Sequence, residues 1–491
     1  MQFFLIFSLL LIAPSLLELN GESYSGHRLD DRLYVTGGRK KITQENRMTS
    51  IKEFIDTSSS NEGFRFYNLN FLNTNFYSQK GGDSSQKARQ YSISGNISPE
   101  WTLAYTKNIL TAYLVVSPIL SYTEKNRIKK EVLKKNDFEA LGGIQINFQS
   151  YSFNLEYGRG FQRLDSFGLF FSGISNFISL TSFAKNPKIS LSFLGASFES
   201  RNNIPTTYEN IYRANKLYGS SILIREIPLI DWVSVFTYKL YEPMQVARQE
   251  GFHFAKQDFY PLGNFLYSGI EIESEPIQKL AKSDIGFISV KGFRDMGEYS
   301  NQKYDSKIST SAYIAYLQER FELKKFELRI GLLKSSKDKN SNTDRESNGY
   351  SAPLSSPRIF GGRSSFLLNE NIEPLEEKIF SDAGELKKSN FENKGIQITN
   401  LSMTLHYSSN FEISVLVNHS QSRIGIGKEI ILLGEYRFGE FNYFKNSFLL
   451  FSACIANVQT YKQNNIFFNE IKESKFNQEF LRFYFSGVLA F

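Results

Sequence analysis

The chain has 491 residues, 15% of them aromatic, with 45 Phe and 27 Tyr against 2 Trp, and a formal charge of +7. After its first 20 residues no window approaches the ~18 apolar residues of a membrane-crossing helix, which excludes a helical membrane bundle. The single cysteine, Cys454, excludes an internal disulfide, so stability must come from packing or from a closed hydrogen-bond network.

Residues 3–17 are almost wholly apolar and too short to span a bilayer comfortably. They read as a secretory signal peptide covering residues 1–21, with Gly21 the expected last residue removed. No cysteine follows the run, so a lipoprotein anchor is not expected. Residues 22–61 are polar without a clear period, as a periplasmic or plug-like segment would be.

From residue 62 to 491 the chain reads as one all-β unit. Short alternating stretches recur at 63–77, 90–97, 101–107, 111–123, 141–148, 151–158, 170–183, 189–198, 217–225, 232–241, 259–273, 284–294, 311–321, 326–333, 397–407, 411–419, 428–438, 447–456 and 480–491. They predict a transmembrane antiparallel β-barrel of about eighteen strands, an even number as bacterial barrels have. A mean hydropathy of −0.32 is compatible with this, because only alternate strand residues face lipid. Polar insertions at 124–137, 202–216, 242–258, 297–307 and 335–393 are the expected extracellular loops. Within the longest, Ser356-Pro357-Arg358-Ile359-Phe360-Gly361-Gly362-Arg363 makes Arg358 and Arg363 candidates for an inward-folded constriction or plug. A solvated surface loop is the competing reading.

The last stretch is the most informative. Leu481, Phe483, Phe485, Leu489 and Phe491 share one face, and Arg482, Tyr484 and Ser486 the other. A soluble sheet rarely leaves such a strand at a free terminus, whereas a closed barrel in lipid uses it. The ending resembles the C-terminal strand of bacterial outer-membrane proteins, whose terminal Phe belongs to the assembly signal. That resemblance implies an outer-membrane location, with outer-membrane lipid and the barrel-assembly machinery, through the Phe491 strand, as partners. A buried last strand of a secreted soluble β domain is the alternative.

Parity assigns the other faces. Ile430, Leu432, Tyr436 and Phe438 point one way, and Glu429, Glu435 and Arg437 the other. Phe326, Leu328, Ile330 and Leu332 leave Glu327 and Arg329 inward; Tyr151, Phe153, Leu155 and Tyr157 leave Glu156 inward; Ile222 and Ile224 leave Arg225 inward. By the same rule Trp232, Phe236, Tyr238 and Leu240 are expected outside and Lys239 inside. A charge facing lipid at mid-depth costs ~2–4 kcal/mol, which drives these assignments. The pore-lining candidates are therefore Arg225, Lys239, Arg329, Glu429, Glu435, Arg437 and Arg482. They fit an anion-selecting pore, or a ladder of structural Arg–Glu pairs.

No catalytic pattern stands out. The four His residues are scattered, no third ligand joins His406 and His419, and no nucleophile elbow, P-loop or dinucleotide fingerprint is present. No enzyme activity, metal or cofactor is expected, and no basic stripe or motif points to nucleic acid.

The second half, with a strand at 326–333, the loop Lys334-Ser335-Ser336-Lys337-Asp338, a long insertion through Phe360-Gly361-Gly362 and then Gly425-Ile426-Gly427-Lys428-Glu429, resembles the alginate-export family of outer-membrane proteins. The Ser-Ser-Lys-Asp loop departs from the Gly expected there. Members of that family are monomeric barrels whose Arg- and Lys-lined pore passes an anionic polysaccharide. The resemblance implies a porin-like channel for anionic sugars or polysaccharide, with Arg225, Lys239, Arg329, Arg437 and Arg482 at the pore. A closed barrel acting as a surface adhesin through its long loops is the second reading.

Overall fold

A sheet that is apolar on one face and mixed on the other can satisfy its edges in lipid only by closing on itself. The computed structural model closes in this way. It describes residues 62–490 except 82–89, 127–129, 186–187, 199–208, 211–214, 243–244, 249–257, 261, 275–280, 296–297, 300–301, 304–306, 323–324, 337–345, 351, 354–356, 358, 369–394, 409, 423–424, 439–447 and 462–474. The expected signal peptide, the 22–61 segment, Arg358 and Phe491 lie outside the described residues.

The wall strands, in chain order, are β1 Gly63–Gly81, β2 Gln90–Lys107, β3 Leu110–Asn126, β4 Lys130–Asn147, β5 Tyr151–Arg163, β6 Ser172–Lys185, β7 Lys188–Phe198, β8 Asn215–Ile227 and β9 Ile230–Glu242. They continue as β10 Leu262–Ser274, β11 Ala281–Asp295, β12 Lys307–Glu322, β13 Phe326–Ser335, β14 Ile396–His406, β15 Phe411–Ser422, β16 Gly425–Arg437, β17 Phe448–Tyr461 and β18 Lys475–Ala490. Each pairs antiparallel with its neighbours in sequence, and β18 returns to β1, from Phe71↔Ala490 to Gly81↔Phe480. The nineteenth piece of this sheet is the two-residue Glu346–Ser347, which runs parallel to β12. Eighteen wall strands thus close the barrel, as the alternation predicts.

Two expectations about the wall change. The stretches 90–97 and 101–107 form one continuous strand, β2, because Pro99 stays in register opposite Asn70 and costs only a local hydrogen bond. The polar insertion at 124–137 is mostly strand: β3 and β4 extend beyond the apolar band, pairing Lys125 with Glu131 and Thr123 with Leu133. The register alone reveals a hairpin that the polarity of the sequence concealed.

Outward residues form the lipid surface. Ile430 is 55% exposed, Phe483, Phe485, Leu332 and Val417 are also exposed, and their strand neighbours Glu429, Arg482, Leu333 and Asn418 are buried. At the short-turn end, outward aromatics pair as Phe64 with Tyr105 (ring centroids 4.6 Å), Phe148 with Tyr151 (5.6 Å) and Tyr436 with Phe438 (5.4 Å). That is the aromatic girdle of a barrel at a membrane–water interface. Apart from 438–447, the connections longer than about six residues leave from the opposite end.

Candidate functional site

Two of the long connections turn back into the lumen. The first is residues 164–171 between β5 and β6. The chain must fold tightly here, and Asp165 does the folding: its carboxylate accepts from the backbone N–H groups of Leu169 (2.6 Å), Phe170 (2.9 Å) and Phe171 (3.0 Å). Glu271 on β10 holds the turn to the wall. It accepts from the Ser166 N–H at 3.1 Å, from the Ser166 hydroxyl at 3.0 Å, and from the Tyr316 hydroxyl of β12 at 2.8 Å. Phe170, fully buried, lies 5.7 Å from the Phe236 ring, 5.8 Å from Tyr238 and 4.8 Å from Tyr267.

This packing explains the inverted strand. Trp232, Phe236, Tyr238 and Leu240 on β9 are buried and face the lumen, while Val235 is 47% exposed. Parity alone expects the large apolar side chains to meet lipid, but an aromatic-rich loop fills the lumen and gives them an interior partner. Lys239 is consequently on the outer face, level with the exposed Tyr218 and Leu266.

The second inward segment lies in the 335–393 connection, where residues 359–368 are held against β15–β18. Glu429 of β16 is the centre of this clasp. It accepts from the N–H of Phe366 (2.8 Å) and Leu367 (3.1 Å), from the Ser365 hydroxyl, and from the Asn418 amide (2.6 Å). Asn418 also donates to the Phe360 carbonyl at 2.9 Å, and Arg482 donates to the Ser365 carbonyl at 3.0 Å. The Arg482 guanidinium stands 5.2 Å from the centroid of the Phe366 ring, which stacks on Phe480. Ser364 bonds Ser452 at 2.7 Å. Earlier in the same 335–393 connection, the Tyr350 hydroxyl donates to the Leu169 carbonyl of the first segment at 3.1 Å. One apolar cluster runs through both segments, from Phe170 and Tyr267 to Ile359 and Phe360.

The pore candidates from sequence thus divide. Arg225, Arg329, Glu429, Glu435 and Arg482 face the lumen; Lys239 faces lipid. Of the inward set, Glu429 and Arg482 clasp the second segment, and Arg329 pairs with Glu327 on its own strand. The side chains of Arg437 and Arg363 lie outside the described residues, although the Arg363 backbone belongs to the inward 3₁₀ turn Gly362–Ser364. A further ion-pair group sits near the short-turn end: Arg320 and Lys282 converge on Glu273 at 3.1 and 3.8 Å, and the Trp232 indole N–H donates to the same carboxylate.

Sequence reasoning missed Asp165 and Glu271 as clasps. Asp165 had a signal, an acid followed by Ser-Phe-Gly-Leu-Phe-Phe, which is turn composition with apolar residues to bury. Glu271 had only its inward parity. Away from the clasps, β2 and β3 turn hydroxyls to the lumen, with Ser98 bonded to Ser117 at 2.9 Å and Thr106 to Thr111 at 3.2 Å. On β5, Glu156 accepts from the Tyr113 hydroxyl at 2.8 Å. Among the described residues, the buried charged side chains are nine acids and four arginines, and the inward Arg225 is half-buried.

No protein-family model matches the chain, and no curated protein matches it. Solved structures do. The outer-membrane protein opdK of Pseudomonas aeruginosa superposes with a TM-score of 0.50 at 9% identity, over 87% of this chain and 99% of that one. OpdQ of the same organism gives a TM-score of 0.50 at 10% identity, over 87% and 99%. The chain has the fold of an outer-membrane porin. At these identities the likeness is one of architecture.

Proposed function

We propose that this protein is a passive, porin-like channel for small hydrophilic solutes, narrowed by two fixed lumenal segments. The observation that carries this reading is the pair of clasps at Glu271 and Glu429, which pin residues 164–171 and 359–368 across one side of the lumen. The inner faces of β2 and β3 carry Ser98, Thr106, Thr111 and Ser117, whose hydroxyls give the lumen polar groups outside the clasps. Anionic sugars or polysaccharide, the cargo that the net charge of +7 and the alginate-export resemblance suggest, would have to pass interior charges that are mostly acidic among the described residues. A small neutral or cationic hydrophilic solute fits that interior better.

Single-channel recording of the folded protein in a planar bilayer tests the proposal. Stable current steps are expected, and a salt gradient should give a reversal potential of cation-preferring sign. A folded, inserted protein that carries no current would instead favour the second reading, a closed barrel acting as an adhesin through its loops. The continuous apolar cluster around Phe170 and Phe360 is the feature that supports that alternative.

A further inference from the structure

The outer wall of β8–β11 carries three side-chain rows at successive depths, all facing lipid. The upper row is Tyr218, Lys239, Leu266 and Lys291, each the register partner of the next, with Lys216 one outward position higher on β8. The next row is Ser220, Thr237, Ser268 and Ser289, and the one below it Ile222, Val235, Ile270 and Phe287. Four hydroxyl side chains in a row are too short to fill the wall. They leave a groove of about 390 Å³ bordered by the two lower rows.

The groove is apolar in effect. Thr237 and Ser268 share a hydrogen bond at 3.3 Å, and Ser289 donates to the Ser268 carbonyl at 3.2 Å, so these hydroxyls are satisfied by the wall itself. Directly above it stand three lysines. Neighbouring strands lie ~4.8 Å apart, which puts the Lys239 and Lys291 backbones roughly 10 Å from each other. Lys216 is a diagonal neighbour of Lys239, and flexible four-carbon stems allow all three ammoniums to converge on one group. None of the three has an ion-pair partner among the described residues. Tyr218 and Tyr241, on the same face, mark this level as the membrane–water interface.

We propose that this face is the seat of one anionic membrane lipid, its head group held by Lys216, Lys239 and Lys291 and an acyl chain lying in the groove beneath. Charge complementarity selects the occupant. A neutral lipid would leave three lysines without a counter-charge, and a second copy of the barrel packed symmetrically here would bring like charges together. The long-loop end of the wall carries the site, so the lipid belongs to the outer leaflet. The site stands whether or not the lumen conducts.

The test uses the full chain folded in detergent, incubated with dioleoyl phosphatidylglycerol or dioleoyl phosphatidylcholine and examined by native mass spectrometry. One phosphatidylglycerol should remain bound in preference to phosphatidylcholine. Lys239→Gln should lower its retention about fivefold, the size expected for one lysine near an anionic surface. Ser268→Phe, which fills the groove, should also lower it, while Lys428→Gln, an outward lysine on the far wall, should not. Folding is checked by heat-modifiable gel migration, and Lys239→Gln remains decisive if Ser268→Phe does not fold. Equal retention of the two lipids, equal loss from Lys239→Gln and Lys428→Gln, or a dimer in place of the lipid-bound monomer would overturn the proposal.

Discussion

Replacing Glu429 with Ala should release the second lumenal segment and leave the barrel standing. The carboxylate accepts from two backbone N–H groups, a serine hydroxyl and the Asn418 amide, and it faces Arg482 from across the clasp. Truncation would strand those donors and remove the carboxylate that the buried Arg482 charge faces. Breaking one partner out of a buried charged network costs about 3–5 kcal/mol. The wall does not depend on this bond, because β16 keeps its full ladders to β15 and β17. The cost therefore falls on docking of residues 359–368, and at 1.4 kcal/mol per decade the undocked population should rise roughly a hundredfold or more. Limited proteolysis in lipid vesicles reads this as faster cleavage within 359–368, and bilayer recording reads it as larger or noisier steps. Heat-modifiable migration should be unchanged. If cleavage and conductance both match the parent protein, Glu429 does not hold the segment and the clasp argument is wrong.

Other outcomes follow from the same geometry. Gly286→Ala should loosen the first segment, since a Cβ there would stand 2.1 Å from the Tyr316 ring and push its hydroxyl off Glu271; overpacking of this kind costs about 1–3 kcal/mol, and faster cleavage near Phe167 would register it. Ile430→Arg places a charge on the exposed lipid face between Val417 and Ile455, and should lower barrel stability by ~2–4 kcal/mol in urea unfolding from vesicles, with an unchanged midpoint counting against the assigned facing. Glu156→Gln should weaken cation preference in a salt gradient without altering the folded fraction; no shift in reversal potential would remove Glu156 from the conducting path.

The wall was legible because lipid enforces a strict rule. Each predicted stretch overlaps a wall strand, although the one expected at 170–183 begins with Phe170 and Phe171 of the lumenal segment and the one at 259–273 begins before β10, and the facings of Ile430 against Glu429, Ile330 against Arg329 and Phe483 against Arg482 all hold. The rule failed on β9 because it assumes a polar lumen. Phe236 and Tyr238 are inward since Phe170 reaches them from a segment some sixty residues earlier, and no local pattern records that contact. The clasps were hidden for the same reason. Glu271 differs from any other inward carboxylate only through Ser166, 105 residues away in the chain.

The sign of the whole chain is a poor guide to the sign of its interior. A basic total of +7 suggests an anion path, yet the outward lysines Lys216, Lys239, Lys291, Lys334 and Lys428 sit in the last few residues of their strands at the long-loop end. There they can reach head groups, where basic side chains are favoured, and they contribute little inside a lumen shielded by the wall. The interior acids have a different task. Asp165, Glu271 and Glu429 are acceptors for backbone N–H groups of segments that have no sheet partner of their own, and a carboxylate can take several such donors at once. A barrel that folds chain into its lumen needs acceptors there, and this one uses acids. Its ion preference should therefore follow the carboxylates that do not clasp a loop, with Glu156 the first to test.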